Sequence, residues 1–271
     1  MARKLSELIV LIKGGGEVAS GIAHRLHHSH FRVCLTEISN PLAVSRGTAF
    51  SEAVFDGVKT IEGVTAQLVP ASLEEIYGVW QRGNIPIIID PGALIREKIK
   101  PDVLVDAIMA KRNLGTRITD APLIIGMGTG FYVGRDVHIV VETNHSNNLG
   151  RVILDGDAEK NTGTPVAIVG LTRERVIWAP QAGTFATDRE IGDSVVAGEV
   201  VGRVGDLLLK APIGGILRGL MRDGVKVSKG TKLIEVDPVN DTAVCYVIRD
   251  KMRAIAGGVL EAIMLRFNIG G

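Results

Sequence analysis

Leu8-Ile9-Val10-Leu11-Ile12-Lys13-Gly14-Gly15-Gly16-Glu17-Val18-Ala19-Ser20-Gly21 is an apolar run that breaks into three glycines and then into helical spacing. The run predicts a strand over Leu8–Lys13, and the glycines predict a turn. Val18, Ile22, Ala23 and Leu26 then share one face of a helix over Glu17–His28. Arg32–Glu37 reads as a second strand. Strand, helix and strand in so short a stretch predict parallel pairing with a right-handed crossover.

The alternation continues. Ser72–Gln81 reads as a helix, and Ile85–Ile89 is an all-apolar strand ending in Asp90-Pro91. Val103–Val105 is a strand running into a helix near Ala107–Lys111. Leu123–Ile125 leads into Gly126-Met127-Gly128-Thr129-Gly130, and Val137–Glu142 is a further strand. The expected fold class is therefore α/β plus all-β. A Rossmann-like parallel sheet with helices on both faces occupies residues 1–150.

Residues 151–271 read differently. Written with an offset of 32 positions, Val176–Val204 matches Leu208–Val236. Ala179-Pro180 falls on Ala211-Pro212, Gly183 on Gly215, Gly192 on Gly224 and Gly198 on Gly230. One short β unit used twice predicts a barrel-sandwich, hammerhead-like β domain. Domains of that kind carry biotin or lipoate on a lysine at the joining hairpin. The joining segment here, Gly202-Arg203-Val204-Gly205-Asp206-Leu207, has no lysine, so neither biotin nor lipoate is expected. An amphipathic helix from about Asp250 to Arg266 closes the chain.

Composition narrows the functional classes. The 271 residues are 46% hydrophobic and 23% charged, as in an ordinary globular protein, and are long enough for two cores. Net charge is +1 and aromatics are 4%, which argues against nucleic acid as a partner. The two cysteines, Cys34 and Cys245, each fall in an expected strand and read as buried apolar groups. No disulfide framework is suggested, and the expected location is cytoplasmic. The first apolar run is too short for a membrane span, so no membrane partner is expected.

Chemistry concentrates at the glycine turns. Gly14, Gly15 and Gly16 follow a strand and open a helix, whose N-terminus offers amides and partial positive charge to a phosphate. Glu37, ending the next strand, could accept hydrogen bonds from ribose hydroxyls. Gly126, Gly128 and Gly130 form a second loop at a strand end, with Asp106, Lys111, Asp90 and Thr129 expected at the same edge. His24, His27, His28 and His30 read as a solvated face, with no metal site. The cofactor these features call for is a dinucleotide of NAD type or another phosphate-bearing group.

The segment Gly14–Leu26 resembles the opening of YqeB-type proteins, accessory proteins associated with selenium-dependent molybdenum hydroxylases. The resemblance continues through Glu37, Pro41-Leu42-Ala43, Phe50-Ser51-Glu52-Ala53-Val54, Val105–Lys111 and Ile125–Phe131. It extends to Val141–Asn144, Leu149–Ile153, Asn161-Thr162-Gly163 and Ala256–Ala262. Glu17 stands where that family has Asp, Thr129 where it has Pro, and His145-Ser146-Asn147 where it has Arg-Gly-His. These departures bear on the second loop. The resemblance implies a maturation factor that handles a molybdopterin-type cofactor, with a molybdenum hydroxylase or other cofactor-maturation proteins as partners. Two other functions use the same residues. An NAD(P)-dependent oxidoreductase would need His138 or Lys111 as proton donor, and a scaffold would need no ligand. Whether the chain is an enzyme, and whether it forms a homo-oligomer, stays open at the level of sequence.

Overall fold

The structure, a computed structural model, describes residues 4–268. Two compact units divide the chain. One comprises residues up to 41, 49–161 and from 248 onward, and the other 42–48 and 162–247. The division differs from a boundary near 150. The closing helix belongs with the first unit rather than with the β domain it follows.

The first unit is built on β1 (Ile9–Lys13), α1 (Glu17–His28), β2 (Arg32–Glu37), α2 (Ala53–Asp56), β3 (Val58–Ile61) and β4 (Val64–Leu68). Next come α3 (Leu73–Gln81), β5 (Ile85–Ile89), α4 (Arg96–Ile99), β6 (Val103–Asp106), β7 (Leu123–Met127), β8 (Ile139–Val141) and β9 (Val152–Ile153). The strands form one sheet in the order β3-β4-β5-β2-β1-β6-β7-β8-β9. Every residue of β1 is buried, which explains its unbroken apolar reading up to Lys13.

The Rossmann-like expectation is corrected here. The sheet is mixed, because β3 pairs antiparallel with β4 and β8 antiparallel with β9. Both pairs are joined through tight turns or a short loop that cannot make a parallel crossover. The segment Ala107–Lys111 is not a helix. Met109 and Lys111 adopt left-handed backbone (φ +62° and +61°), which no helix accommodates.

One face of the sheet buries Val10, Ile12, Leu35 and Ile87 against Ile22 and Leu26 of α1. The other buries Ile9, Leu11, Ile88 and Leu104 against Ile76 and Val79 of α3 and Ile99 of α4. In α3, Ser72 caps the helix by accepting from the Glu75 amide (3.3 Å). Trp80 on the same helix donates to the Val33 carbonyl (2.7 Å) and ties α3 to β2.

The last helix of the first unit is α5 (Asp250–Phe267). Its Met252, Ile255, Ala256, Val259, Ala262 and Ile263 join the core shared with α1. That spacing is one helical stripe. The helices approach closely, and a Cβ on Gly21 of α1 would lie 2.8 Å from Met252 Cβ. On its other side a Cβ on Gly258 would lie 2.1 Å from the Gly150 carbonyl oxygen. No helix among the described residues is long and apolar enough to cross a membrane.

The second unit contains β10 (Val176–Trp178), β11 (Gly183–Ala186), β12 (Ser194–Val195), β13 (Val200–Val204), β14 (Leu207–Lys210), β15 (Gly215–Leu220), β16 (Lys226–Val227) and β17 (Lys232–Asp237). The expected barrel-sandwich is also corrected: the strands form two separate four-stranded antiparallel sheets, β10-β17-β15-β12 and β14-β13-β11-β16. The duplication is real at the level of turns, but each copy sends two strands to each sheet. Cys245 lies in a short 3-10 helix, Thr242–Cys245, rather than in a strand. Inside this unit Arg175 and Glu235 are 1% and 3% exposed and pair at 2.5 Å. Arg175 also donates to the Val166 carbonyl (2.6 Å), and Lys232 pairs with the same carboxylate.

Candidate functional site

The parallel register sets a row of polar groups at the C-terminal edge of the large sheet. Lys13 is opposite Thr36 on β2 and Asp106 on β6, and Asp106 is opposite Gly126 on β7. Glu37 stands one residue further along β2. Strand ends of this kind are where open parallel sheets place their ligands.

At the centre is the Gly14–Gly16 turn. Gly14 has φ +99°, and a Cβ there would lie 3.1 Å from the Ala107 carbonyl, so only glycine makes this turn. Its amide donates to the Thr36 carbonyl (2.8 Å). The Gly15 carbonyl accepts from the Ser51 amide (2.8 Å) and from the Ser20 hydroxyl (3.0 Å). Ser20 in turn accepts from the Phe50 amide (2.7 Å). The segment around Phe50–Glu52 is thus pinned beside the turn. Ser51 is fully buried, and its hydroxyl has no hydrogen-bond partner among the described residues.

Gly16 differs from its neighbours. It is the N-cap of α1, and among the described residues no side chain caps the helix there and nothing lies within 4 Å of the space where a Cβ would stand. Glu17, in the first helical turn, would oppose an approaching anion. Its carboxylate is held by both arms of Arg249 (2.8 and 2.9 Å). Lys251, on the same α5, feels Glu17, Arg249 and Glu142. Burial, with Arg249 next to it, holds its ammonium below the usual lysine range.

Glu37 lies beside this opening. Burial pushes its carboxyl up to about 7, against the partial opposition of the Ile38 and Gly15 amides that donate to it. The folded value lies above the unfolded one, so the folded state binds the extra proton between about 4.5 and 7. The contribution of Glu37 to stability is full below that window and declines as pH rises through it. A carboxyl-detected NMR titration is expected to show a midpoint near 7 that Glu37→Gln removes. A midpoint below 5 would contradict this environment.

Asp106 and Lys13 are 3% and 5% exposed and lie 3.2 Å apart. Thr116 completes the group by donating to Asp106 (2.5 Å) and accepting from Lys13 Nζ (2.7 Å). This buried triad fastens the loop after β6 to the sheet. Lys13 and Thr116 were not singled out by sequence reasoning. A lysine ending a buried run is a usable signal, but Thr116 gives none. Lys111 is exposed, and its backbone runs past Gly130.

The second glycine loop faces protein rather than space. A Cβ on Gly126 would lie 2.5 Å from the Phe131 ring. One on Gly128 would lie 2.1 Å from Thr143 Oγ1, and one on Gly130 2.8 Å from Arg112 backbone atoms. Thr129 donates to the Glu159 carbonyl (2.9 Å). Asp90 accepts from the Ile95 amide (2.8 Å) and starts a turn. His138 Nδ1 accepts from the Ile124 amide (3.0 Å) near the start of β7, at the sheet edge away from the Gly14–Gly16 turn.

His24 is buried against Glu62, and its ring centroid lies 4.6 Å from that of the tilted His28 ring, so the histidine face is only partly solvated. Among the described residues no group of His, Cys, Asp and Glu has metal-binding geometry.

Sequence comparison finds a relative in Escherichia coli (strain K12). The chain is 45% identical over 262 residues to the uncharacterized protein YqeB, a match that covers 97% of this chain and 48% of that protein. The chain therefore spans about half the length of the curated relative it matches. This extends the YqeB-type likeness of the individual motifs to nearly the whole chain. No protein-family model matches. Among solved structures, the ectoine utilization protein EutE (DoeB) from Ruegeria pomeroyi aligns at 10% identity, covering 86% of both chains, with a TM-score of 0.27. A succinylglutamate desuccinylase/aspartoacylase from Rhodobacter sphaeroides aligns at 14% identity, covering 87% of both chains, with a TM-score of 0.26.

Proposed function

We propose that this chain binds a phosphate-bearing cofactor at the Gly14–Gly16 turn and serves as an accessory factor in maturing a molybdenum hydroxylase. The observation that carries the binding reading is the open side of Gly16 at the uncapped start of α1. Helix amides and the local dipole there favour a phosphate oxygen. Arg249 offsets the charge of Glu17. The maturation role rests on the likeness to YqeB-type proteins.

A molybdopterin-type cofactor, with its phosphate on the turn, fits these residues. Gly16 and the first turn of α1 would hold the phosphate, and Glu37 would meet a hydroxyl or ring nitrogen. Near neutral pH the Glu37 carboxyl can donate as well as accept, so it suits either kind of group.

The test is thermal unfolding with molybdopterin cofactor, NAD and CTP, on wild type and on Gly16→Val. A ligand at about 100 times its dissociation constant stabilises the native state by about 2.7 kcal/mol. Wild type is expected to respond to the molybdopterin cofactor. Gly16→Val should fold, because nothing stands within 4 Å of the new side chain, and should not respond. Retained affinity in Gly16→Val would remove the turn from the site, and a response to NAD alone would overturn the maturation role.

A further inference from the structure

Two strands away from the glycine turn, the same edge of the sheet changes from polar to apolar. Leu68, Val69, Pro70, Ala71 and Ile89 line a cavity of about 350 Å³ beyond the ends of β4 and β5. Ile89 is 46% exposed at the end of an otherwise buried apolar strand, and Ile38, just beyond Glu37, is 39% exposed. An apolar wall left open at a strand edge marks a ligand surface more often than scattered exposed side chains do.

The register ties this wall to the turn. Leu35 pairs with Ile87, Ile87 with Leu68, and Glu37 with Ile89. Leu35 and Ile87 face the core under α1. Strand alternation puts Glu37 and Ile89, two residues further on, on that same face. Walking from β1 across β2 to β5, one meets the open start of α1, then a carboxyl, then the apolar wall. Neighbouring strands are about 4.8 Å apart, so the walk is about 10 Å long.

From this order we infer that the wall formed by Leu68, Pro70 and Ile89 receives the planar base of a nucleoside diphosphate whose phosphates sit on the Gly14–Gly16 turn. The inference rests on the glycine-turn reading and adds a ligand class to it. The ribose bridges the two ends, and its hydroxyls meet the Glu37 carboxyl. Aliphatic side chains give a flat ring its contact area, while the carboxyl and the helix amides fix the direction in which the ligand lies.

Calorimetric titrations with ADP, GDP, CDP, UDP and inorganic pyrophosphate test this on wild type, Ile89→Asp and Gly16→Val. Wild type is expected to bind at least one nucleoside diphosphate about tenfold or more tighter than pyrophosphate. Ile89→Asp, at a half-exposed position, should keep its melting temperature and its pyrophosphate affinity but lose that preference. Gly16→Val should lose both ligands. Equal wild-type affinity for pyrophosphate and all four nucleotides would overturn the base wall and leave the glycine turn standing. A preference that persists in Ile89→Asp would do the same. Failure of wild type to bind any of the five would overturn the turn and the wall together.

Discussion

Gly257→Ala and Gly258→Ala, one residue apart in α5, are expected to change stability in opposite directions. Alanine is a better helix former than glycine by about 1 kcal/mol, and at Gly257 nothing lies within 4 Å of the added methyl. Gly257→Ala should therefore stabilise the protein by about 0.5–1 kcal/mol. At Gly258 the methyl would stand 2.1 Å from the Gly150 carbonyl oxygen and 2.9 Å from Val141 Cγ1. A backbone carbonyl cannot swing aside as a flexible side chain can. Gly150 is itself held in left-handed backbone (φ +79°), and a Cβ there would lie 2.6 Å from the Ala254 carbonyl. Overpacking of this kind costs about 1–3 kcal/mol and occasionally more. After the propensity gain, Gly258→Ala should still lose up to about 2 kcal/mol. Urea unfolding of the three proteins decides it, and a stabilised Gly258→Ala would mean that α5 does not approach the Gly150 loop as described.

The second large effect is expected in the other unit. Glu235→Leu removes the buried partner of Arg175, which is 1% exposed and is held in place by the Val166 and Leu171 carbonyls as well. A guanidinium left in that position keeps two carbonyl contacts but loses its counter-charge. Breaking one side of a buried pair costs about 3–5 kcal/mol. Replacing both members with apolar groups often restores most of the loss, because the penalty lies in the stranded charge. Arg175→Met combined with Glu235→Leu should therefore be more stable than Glu235→Leu alone. Denaturant midpoints of the single and double variants measure this. A loss below about 1 kcal/mol in Glu235→Leu would show that the pair carries little of the stability of this unit.

The β1-α1-β2 segment was legible because its evidence is local. Leu8–Ile12 is apolar on both faces, Gly14 adopts a backbone that other residues avoid, and α1 repeats its apolar positions with helical spacing. The mixed sheet was not legible, since β3 and β9 are short and what decides their direction is the strand they pair with. The reading of Ala107–Lys111 as a helix followed its composition. The structure overrides composition there: the Lys13–Asp106–Thr116 contacts pull the chain away, and Met109 and Lys111 turn left-handed. Thr116 lies 103 positions from Lys13, so no window around either residue could have joined them. Of the candidate site, Gly14–Gly16 and Glu37 are brought together as expected, and Asp106 lies on the same edge. The open wall at Ile89 was hidden because an exposed strand end and a buried one look alike in sequence. In the duplicated region the turns repeat visibly, but strands of one copy pair with strands of the other, and sheet membership is invisible in the repeat.

The return of α5 to the first unit has a consequence for the order in which the chain can fold as it is made. Ile255, Val259 and Ile263 complete the core over α1, yet all of 162–247 must emerge from the ribosome before them. At about 5–20 residues per second, that delays the cover of the α1 flank at Gly21, where Met252 packs, by on the order of ten seconds. The intervening strands are translated first and can close on themselves during this delay. The nascent first unit is thus the species that a ribosome-associated chaperone would meet, and its exposed surface is the stripe that α5 later fills.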